Sequence, residues 1–195
     1  MRTGDLIFTQ IGSSANAISS VTEGFRGARV NHVGVVVENS FGKYVLEAYY
    51  PEVRLTNIAT HIRRSRDHRS NPRYMIGRLK SSHQDLIPDA IVYGLEQRNI
   101  PYDHLYLTGE SALYCSELIV DMFKHANGGT EFFTEQPMSF RDIETGEVHD
   151  QWISYYEYFG MPVPENEPGS NPGDISKDAR LHIYDVVGDI SGYQP

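Results

Sequence analysis

Cysteine is almost missing from this chain: Cys115 stands alone among 195 residues. An internal disulfide is therefore impossible, and a cysteine-based zinc cluster has no second thiolate to build on. Three roles remain for the thiol: core packing, reactivity, or a bridge to another molecule. Long apolar runs are lacking too. No segment reaches the roughly 18–20 apolar residues of a membrane span, and Met1-Arg2-Thr3-Gly4-Asp5 lacks the apolar centre of a signal peptide. The expectation is a soluble protein without stable membrane insertion, cytoplasmic as written and exported or periplasmic if a leader has been removed. Positive charge is also scarce, with 17 Lys and Arg against 26 Asp and Glu and a formal net charge of -9. That balance argues against nucleic acid as a partner. The local exception, Arg63-Arg64-Ser65-Arg66-Asp67-His68-Arg69, reads as a solvated loop or as a site for a substrate phosphate or carboxylate.

What the chain does hold is the balance of a globular protein, with 39% hydrophobic and 22% charged residues. Its length suits one domain over residues 1–195, with room for a substantial core. Gly4-Asp5-Leu6-Ile7-Phe8 reads as a first strand, followed by polar and small residues in which 13–21 form a short helix or an irregular loop. Residues 31–37 and 44–50 are β-rich runs separated by Glu38-Asn39-Ser40-Phe41-Gly42-Lys43, a hairpin. Residues 51–73 read as an irregular, charge-rich connection, Tyr74–Leu79 as a further strand, and 84–99 as a helix with Pro88 in its first turn. From Ser116, apolar residues at 118, 119, 122, 123 and 126 mark a helix face that Asn127-Gly128-Gly129 terminates. The aromatic segment 152–159 suits core packing or a groove wall, 162–174 a Pro/Gly-rich loop, and Leu181–Val187 a closing strand.

Cys115 thus opens a helix, where unpaired backbone N–H groups and the helix dipole stabilise a thiolate. The same N–H groups can receive the oxyanion of a tetrahedral intermediate, so one helix terminus serves two steps of acyl transfer. A lone Cys beside Leu113 and Leu118 equally suits core packing, because Cys is among the most buried residue types.

The hairpin offers partners for a reactive thiol. If its strands join through an even-numbered loop, facing residues have numbers summing to 81, which sets residue 34 opposite 47. Side chains alternate with period two, so His32, Gly34 and Val36 share a face with Val45, Glu47 and Tyr49. His32 and Glu47 then stand diagonally, about 7–8 Å apart at Cα, with Gly34 leaving room for a third group. A carboxylate holds an imidazole in one tautomer and supports imidazolium, which a base for a cysteine nucleophile requires. Alone, such a pair is a cross-strand polar contact; with a helix-opening Cys it reads as a hydrolase site, with Cys115 as nucleophile, His32 as base and Glu47 orienting that base. The other histidines raise a metal reading, above all His61 with His68, but no pair has i, i+4 helical spacing with a nearby acid. No metal and no cofactor are expected.

Gly4-Asp5-Leu6-Ile7-Phe8, His32-Val33-Gly34-Val35-Val36, Glu47-Ala48, Tyr102-Asp103, Tyr114-Cys115-Ser116-Glu117-Leu118-Ile119 and Pro172-Gly173-Asp174-Ile175 span nearly the whole chain. In this order and spacing they resemble the circularly permuted branch of NlpC-type papain-like hydrolases, the YiiX/YebB-like proteins. The resemblance implies an α+β papain-like fold, mainly antiparallel, with the nucleophile at the N-terminus of a packed helix and the His strand before it in the chain. It implies Cys115, His32 and Glu47 as a triad, Tyr114 as a substrate-positioning or oxyanion group, and Tyr102 as a substrate-binding candidate within a Tyr102-Asp103 motif that is mainly structural. The family pattern does not account for residues 51–73, where substrate specificity is expected to sit. The expected activity is amide hydrolysis through a thioacyl-enzyme, on a peptide or cell-wall peptide. Hydrolysis or transfer of a lipid amide or ester is the alternative within the fold, and a noncatalytic peptide- or lipid-binding module is the alternative of another class. In each case the partner is a peptide or lipid-derived small substrate.

Overall fold

A segment whose apolar side chains point to both faces is buried only when it pairs with neighbours and is covered on both sides. In the computed structural model of the chain, which describes residues 1–12, 16–109 and 111–195, six such segments form one antiparallel sheet. In chain order the strands are β1 (Leu6–Thr9), β2 (His32–Asn39), β3 (Gly42–Tyr49), β4 (Glu52–Asn57), β5 (Tyr74–Leu79), β6 (Gln136–Pro137), β7 (Pro168–Gly169) and β8 (Leu181–Val187). The sheet runs β4-β3-β2-β1-β5-β8, while β6 and β7 pair separately. The helices are α1 (Ala17–Val21), α2 (Ile58–Arg63), α3 (Ile87–Glu96), α4 (Cys115–Ala126), α5 (Asp150–Tyr158) and α6 (Pro172–Lys177).

Period-two alternation divides the strand residues between two cores. Phe8, Val33, Val35 and Leu46 face Leu118, Ile119 and Met122 of α4, and α3 packs on α4. Ile7, Val36, Val45 and Ile76 face the other way, against Ile58 and Ile62 of α2. The valine run in β2 is therefore buried on both sides. A satellite cluster of Phe140, Trp152 and Tyr156 packs against Ile18, Val21 and Met138. Among the described residues no helix is long and apolar enough to cross a membrane.

Three segments differ from the sequence reading. The segment 51–73 is irregular only in its second half, residues 64–73; before that, Val53 and Leu55 alternate with polar neighbours to make β4, and the Asn57 side chain caps α2 by accepting from the Ala59 N–H at 3.0 Å. The charges in the segment hid this alternation. The helix expected over 84–99 starts as a 3-10 turn at Ser81–Leu86, and α3 follows with Pro88 in its first turn. The loop expected over 162–174 runs into α6, capped by the Asn171 side chain, which accepts from the Asp174 N–H at 2.8 Å. Of the region 13–21, Ala17–Val21 is helical, and residues 13–15 lie outside the described residues.

The β2–β3 hairpin has the register expected from its loop, with Val35 facing Leu46, Val36 facing Val45 and Asn39 facing Gly42. The space above Gly34 is nevertheless not open to a third group. A Cβ there would stand 2.4 Å from Val45 Cγ1, 3.0 Å from the Leu46 carbonyl oxygen and 3.2 Å from Glu47 Cβ. Gly34 therefore lets the side chains of Val45 and Glu47 lie over its own strand. Gly34→Ala is expected to destabilise the protein by about 1–3 kcal/mol through overpacking, read as a lower urea midpoint. A loss below about 0.5 kcal/mol, the range of neutral surface substitutions, would show that Val45 moves aside freely.

Candidate active site

Helix α4 buries Leu118, Ile119, Met122 and Phe123 along one face. Its start is fixed by Glu117, whose carboxylate accepts the N–H of Tyr114 at 3.2 Å and of Gly109 at 3.0 Å. Its end is fixed by Gly128 and Gly129, at φ 65° and 84°, where glycine carries no Cβ penalty. Cys115 is therefore held in the first turn, 6% exposed, where backbone N–H groups have no intrahelical partner. The chain after β7 clamps this terminus. Ser116 Oγ donates to the Ser170 carbonyl and the Ser170 N–H donates to the Tyr114 hydroxyl, each at 3.0 Å.

His32 opens β2 opposite Thr9 of β1, at the end of the sheet. Its Nε2–H donates to Glu47 Oε2 at 2.6 Å, and both side chains are buried. The same oxygen accepts the Nδ1–H of His61 at 2.8 Å, and the other accepts from the Arg64 guanidinium. His61 lies in α2 and Arg64 at its C-terminal cap. Tyr49, two residues beyond Glu47 on the same face, sets its ring edge-on to His32 with centroids 5.5 Å apart, while Arg64 lies 4.0 Å over that ring.

These contacts decide the charges. Burial alone would strip the proton from His32, but hydrogen bonds and charge interactions with Cys115 and Glu47 push its pKa up to about 9. With Nε2 engaged by Glu47, Nδ1 is the nitrogen left to face Cys115. Burial works against ionising Glu47, yet hydrogen bonds from His32 and His61 hold its carboxyl well below the usual range. His61 is driven the opposite way from His32, by burial and by the charges of His32 and Arg64. It is thus neutral, with Nδ1–H donating to Glu47 and a buried Nε2 that has no partner among the described residues.

Residues 101–103 are tied beside this helix terminus, since the Leu113 N–H donates to the Pro101 carbonyl at 3.0 Å and the Asp103 N–H to the Leu113 carbonyl at 3.1 Å. Asp103 in turn accepts the N–H groups of Leu105 at 2.7 Å and Leu107 at 2.8 Å, a turn that holds Tyr106 at φ 55°. Tyr102, Tyr106 and Tyr114 line a cavity of about 70 Å³ that Cys115 and Ser116 also border. Burial, with Tyr106 and Cys115 nearby, raises the Tyr102 pKa and keeps its phenol a donor.

The structure thus brings Cys115, His32, Glu47, Tyr102 and Tyr114 into one neighbourhood, with the Tyr114 hydroxyl engaged by Ser170. It separates His61 from His68: the first is buried on Glu47 and the second is exposed. It also divides the basic stretch, since Arg63, Arg66 and Arg69 are exposed while Arg64 pairs with Glu47. Tyr49 and Tyr106 escaped the sequence reading as site residues, while His61 was weighed there as a metal ligand and Arg64 within a solvated loop or substrate-anion site, neither as a partner of Glu47. The usable signal for His61 and Arg64 was the alternation of β4, which places His61 of α2 and Arg64 at its C-terminal cap, at i and i+3, beside the strand carrying Glu47.

A family model described as "Permuted papain-like amidase enzyme, YaeF/YiiX, C92 family" matches residues 1–183. Among solved structures, the crystal structure of metalloprotein yiiX from Escherichia coli O157:H7 aligns with a TM-score of 0.76 at 20% identity, over 95% of this chain and 97% of that one. The two share the permuted papain-like α+β fold that the sequence resemblance implied. No curated protein matches.

The raised pKa of His32 has a direct consequence for stability. Because it lies above the ordinary 6.5, the stabilisation from imidazolium is complete below about pH 6.5 and is lost as pH rises through about 9. The stability gap between wild type and His32→Gln, measured by urea unfolding, is expected to be widest near pH 6 and to close by about pH 10. A gap independent of pH would contradict the imidazolium assignment.

Proposed function

Because the chain belongs to the permuted papain-like amidases of the YaeF/YiiX, C92 family, and is accordingly a cysteine hydrolase, we propose that Cys115, His32 and Glu47 are its catalytic triad. The observation that carries this reading is a single imidazole held between a helix-terminal thiol and a buried carboxylate. Cys115 gives its thiol proton to His32, Sγ attacks the amide carbonyl carbon to form the C–S bond, and the carbonyl π electron pair moves onto oxygen. The N–H groups at the start of α4 receive that oxyanion, and Tyr102 and Tyr114, which border the same cavity, position the substrate. As the C–N bond breaks, His32 gives its proton to the leaving nitrogen. Water then attacks the thioacyl-enzyme and yields a proton to His32, the C–S bond breaks, and the acid leaves. Glu47 keeps the ring oriented and supports its charge throughout. The partner is a small peptide or lipid-derived amide, with no need for nucleic acid or membrane insertion.

The yiiX structure is described as that of a metalloprotein, and His32, Glu47 and His61 offer donor atoms within 4.8 Å of one another. Around a tetrahedral ion with bonds of about 2.0–2.1 Å, ligand atoms stand about 3.3 Å apart. Here two nitrogens lie 2.6 and 2.8 Å from one carboxylate oxygen, and Arg64 holds the other. That is the spacing of shared protons, and the set does not fit a metal ion. Hydrolysis is therefore expected to survive dialysis against EDTA; a loss that added zinc restores would overturn this assignment.

Cys115→Ala and His32→Ala are each expected to lower kcat/KM by at least about 10³-fold with the circular dichroism spectrum kept, and the double variant to be no worse than either. Glu47→Gln should lose less. Near wild-type turnover by Cys115→Ala would remove the nucleophile from the mechanism.

A further inference from the structure

We infer that Arg54 forms an anion subsite on the leaving-group side of the scissile amide, so that the preferred substrate carries a carboxylate or phosphate a short distance beyond its leaving nitrogen. This deepens the triad reading above and rests on it. Proton transfer fixes the side. The leaving nitrogen takes its proton from His32 and must lie toward that ring, so the group attached to that nitrogen extends past His32 onto whatever borders it.

What borders it is Tyr49, whose ring stands edge-on to His32 and carries two guanidinium groups, Arg64 at 4.0 Å and Arg54 at 5.3 Å from its centroid. Strand register puts Arg54 there. It is the pairing partner of Glu47 across β3 and β4, and paired residues share a face of the sheet. The turn between these strands is joined to the segment beside the thiol. The Tyr102 N–H donates to the Pro51 carbonyl at 2.8 Å, and the exposed Tyr50 packs on His104, which is edge-on to Tyr102. Arg54 therefore stands at the edge of the catalytic site.

The charges around the site are matched except at Arg54. Arg64 pairs with Glu47, and the imidazolium of His32 faces the same carboxylate and Cys115. Among the described residues Arg54 has no ion pair: Glu52, the neighbouring acid on the same face, does not form one with it. The Arg54 Nε is buried without a hydrogen-bond partner, and the half-buried side chain leaves its Nη groups at the surface. In a chain of net charge -9, with acidic partners in excess, an unpaired guanidinium beside the catalytic imidazole is a place for an anion supplied from outside. Its contact with the Tyr49 ring already restricts the side chain, so less freedom is lost on binding. Two leaving groups present the same chemistry, an amino acid through its carboxylate and a phosphoethanolamine through its phosphate. A guanidinium takes either through charge-assisted N–H···O bonds.

The test is a series of amides sharing an N-acetylalanyl acyl part and differing in the leaving amine: glycine, glycinamide, phosphoethanolamine, ethanolamine and ethylenediamine. The released amine is measured by mass spectrometry. Glycine is expected to exceed glycinamide in kcat/KM, or phosphoethanolamine to exceed ethanolamine, by at least about tenfold, mainly through KM, with the cationic ethylenediamine amide the poorest. Arg54→Gln should bring the anionic-to-neutral ratio to within about twofold of one, and Arg54→Lys should keep part of it. A larger ratio for the glycine pair identifies a peptide source and for the phosphoethanolamine pair a lipid-derived one, and either upholds the subsite. Ratios near one in the wild type, or a ratio that Arg54→Gln leaves intact, would overturn it. Calorimetric titration of the Cys115→Ala protein with the same amides, with and without Arg54→Gln, reads the preference without turnover. An Arg54-dependent anionic preference in binding, with no amide cleaved by the wild type, would uphold the subsite and sink the hydrolase mechanism. Cleavage with equal binding of anionic and neutral amides would sink the subsite alone, and binding of none of them would overturn it as well.

Discussion

A carboxylate removed from water without compensation is among the most expensive groups a fold can hold, and Glu47 is fully buried. It is tolerated because its two oxygens receive His32, His61 and Arg64. Each partner makes a different contribution. Arg64 supplies the permanent positive charge, His61 a neutral N–H, and His32 a proton that is held tightly yet is still transferable. Removing one partner from such a buried set leaves an uncompensated charge, a loss of roughly 3–5 kcal/mol in comparable pairs. The position of the imidazole beside Cys115 is therefore set on the far side of the ring from the thiol.

The two cores of the sheet divide the site between them. The α2 face contributes His61 and Arg64, and the α4 face contributes Cys115. His32, the first residue of β2, lies where the strand ends, and there a ring from one face can meet a helix terminus from the other. Both helices are held by apolar packing, so the relative placement of thiol and carboxylate depends on two independent cores. Gly34 adds a third condition, since only a residue without Cβ lets Glu47 and Val45 lie over β2.

Period-two and helical-period patterns were readable from residues alone: β1, the hairpin with its register, β5, α4 with its glycine stop, and β8. So were the neighbours Cys115, His32 and Glu47, because hairpin parity and a helix start are local properties. The partners of Glu47 were not. Arg64 sits in a basic run that reads as a solvated loop or a substrate-anion site, and nothing local distinguishes it from Arg63 or Arg66; only the pairing of β4 with β3 turns it inward. Tyr106 was hidden for another reason, since its placement depends on Asp103 accepting two backbone N–H groups and on the Tyr155 and Tyr156 hydroxyls holding the same turn through the carbonyls of His104 and Leu105.

Residues 51–73 lay outside the family pattern and looked free to contact substrate, but apart from the Arg54 side chain β4 and α2 are committed to the sheet and to Glu47. The surfaces that border the thiol come instead from α1, the segment around Met138 to Phe140, α5 and the turn at Tyr106. These join the satellite cluster rather than either sheet core. A change in Ile18 or Met138 would reshape the cavity without touching the contacts that ionise Glu47 or raise His32. The contacts that support the imidazole and those that border the thiol are therefore physically separate.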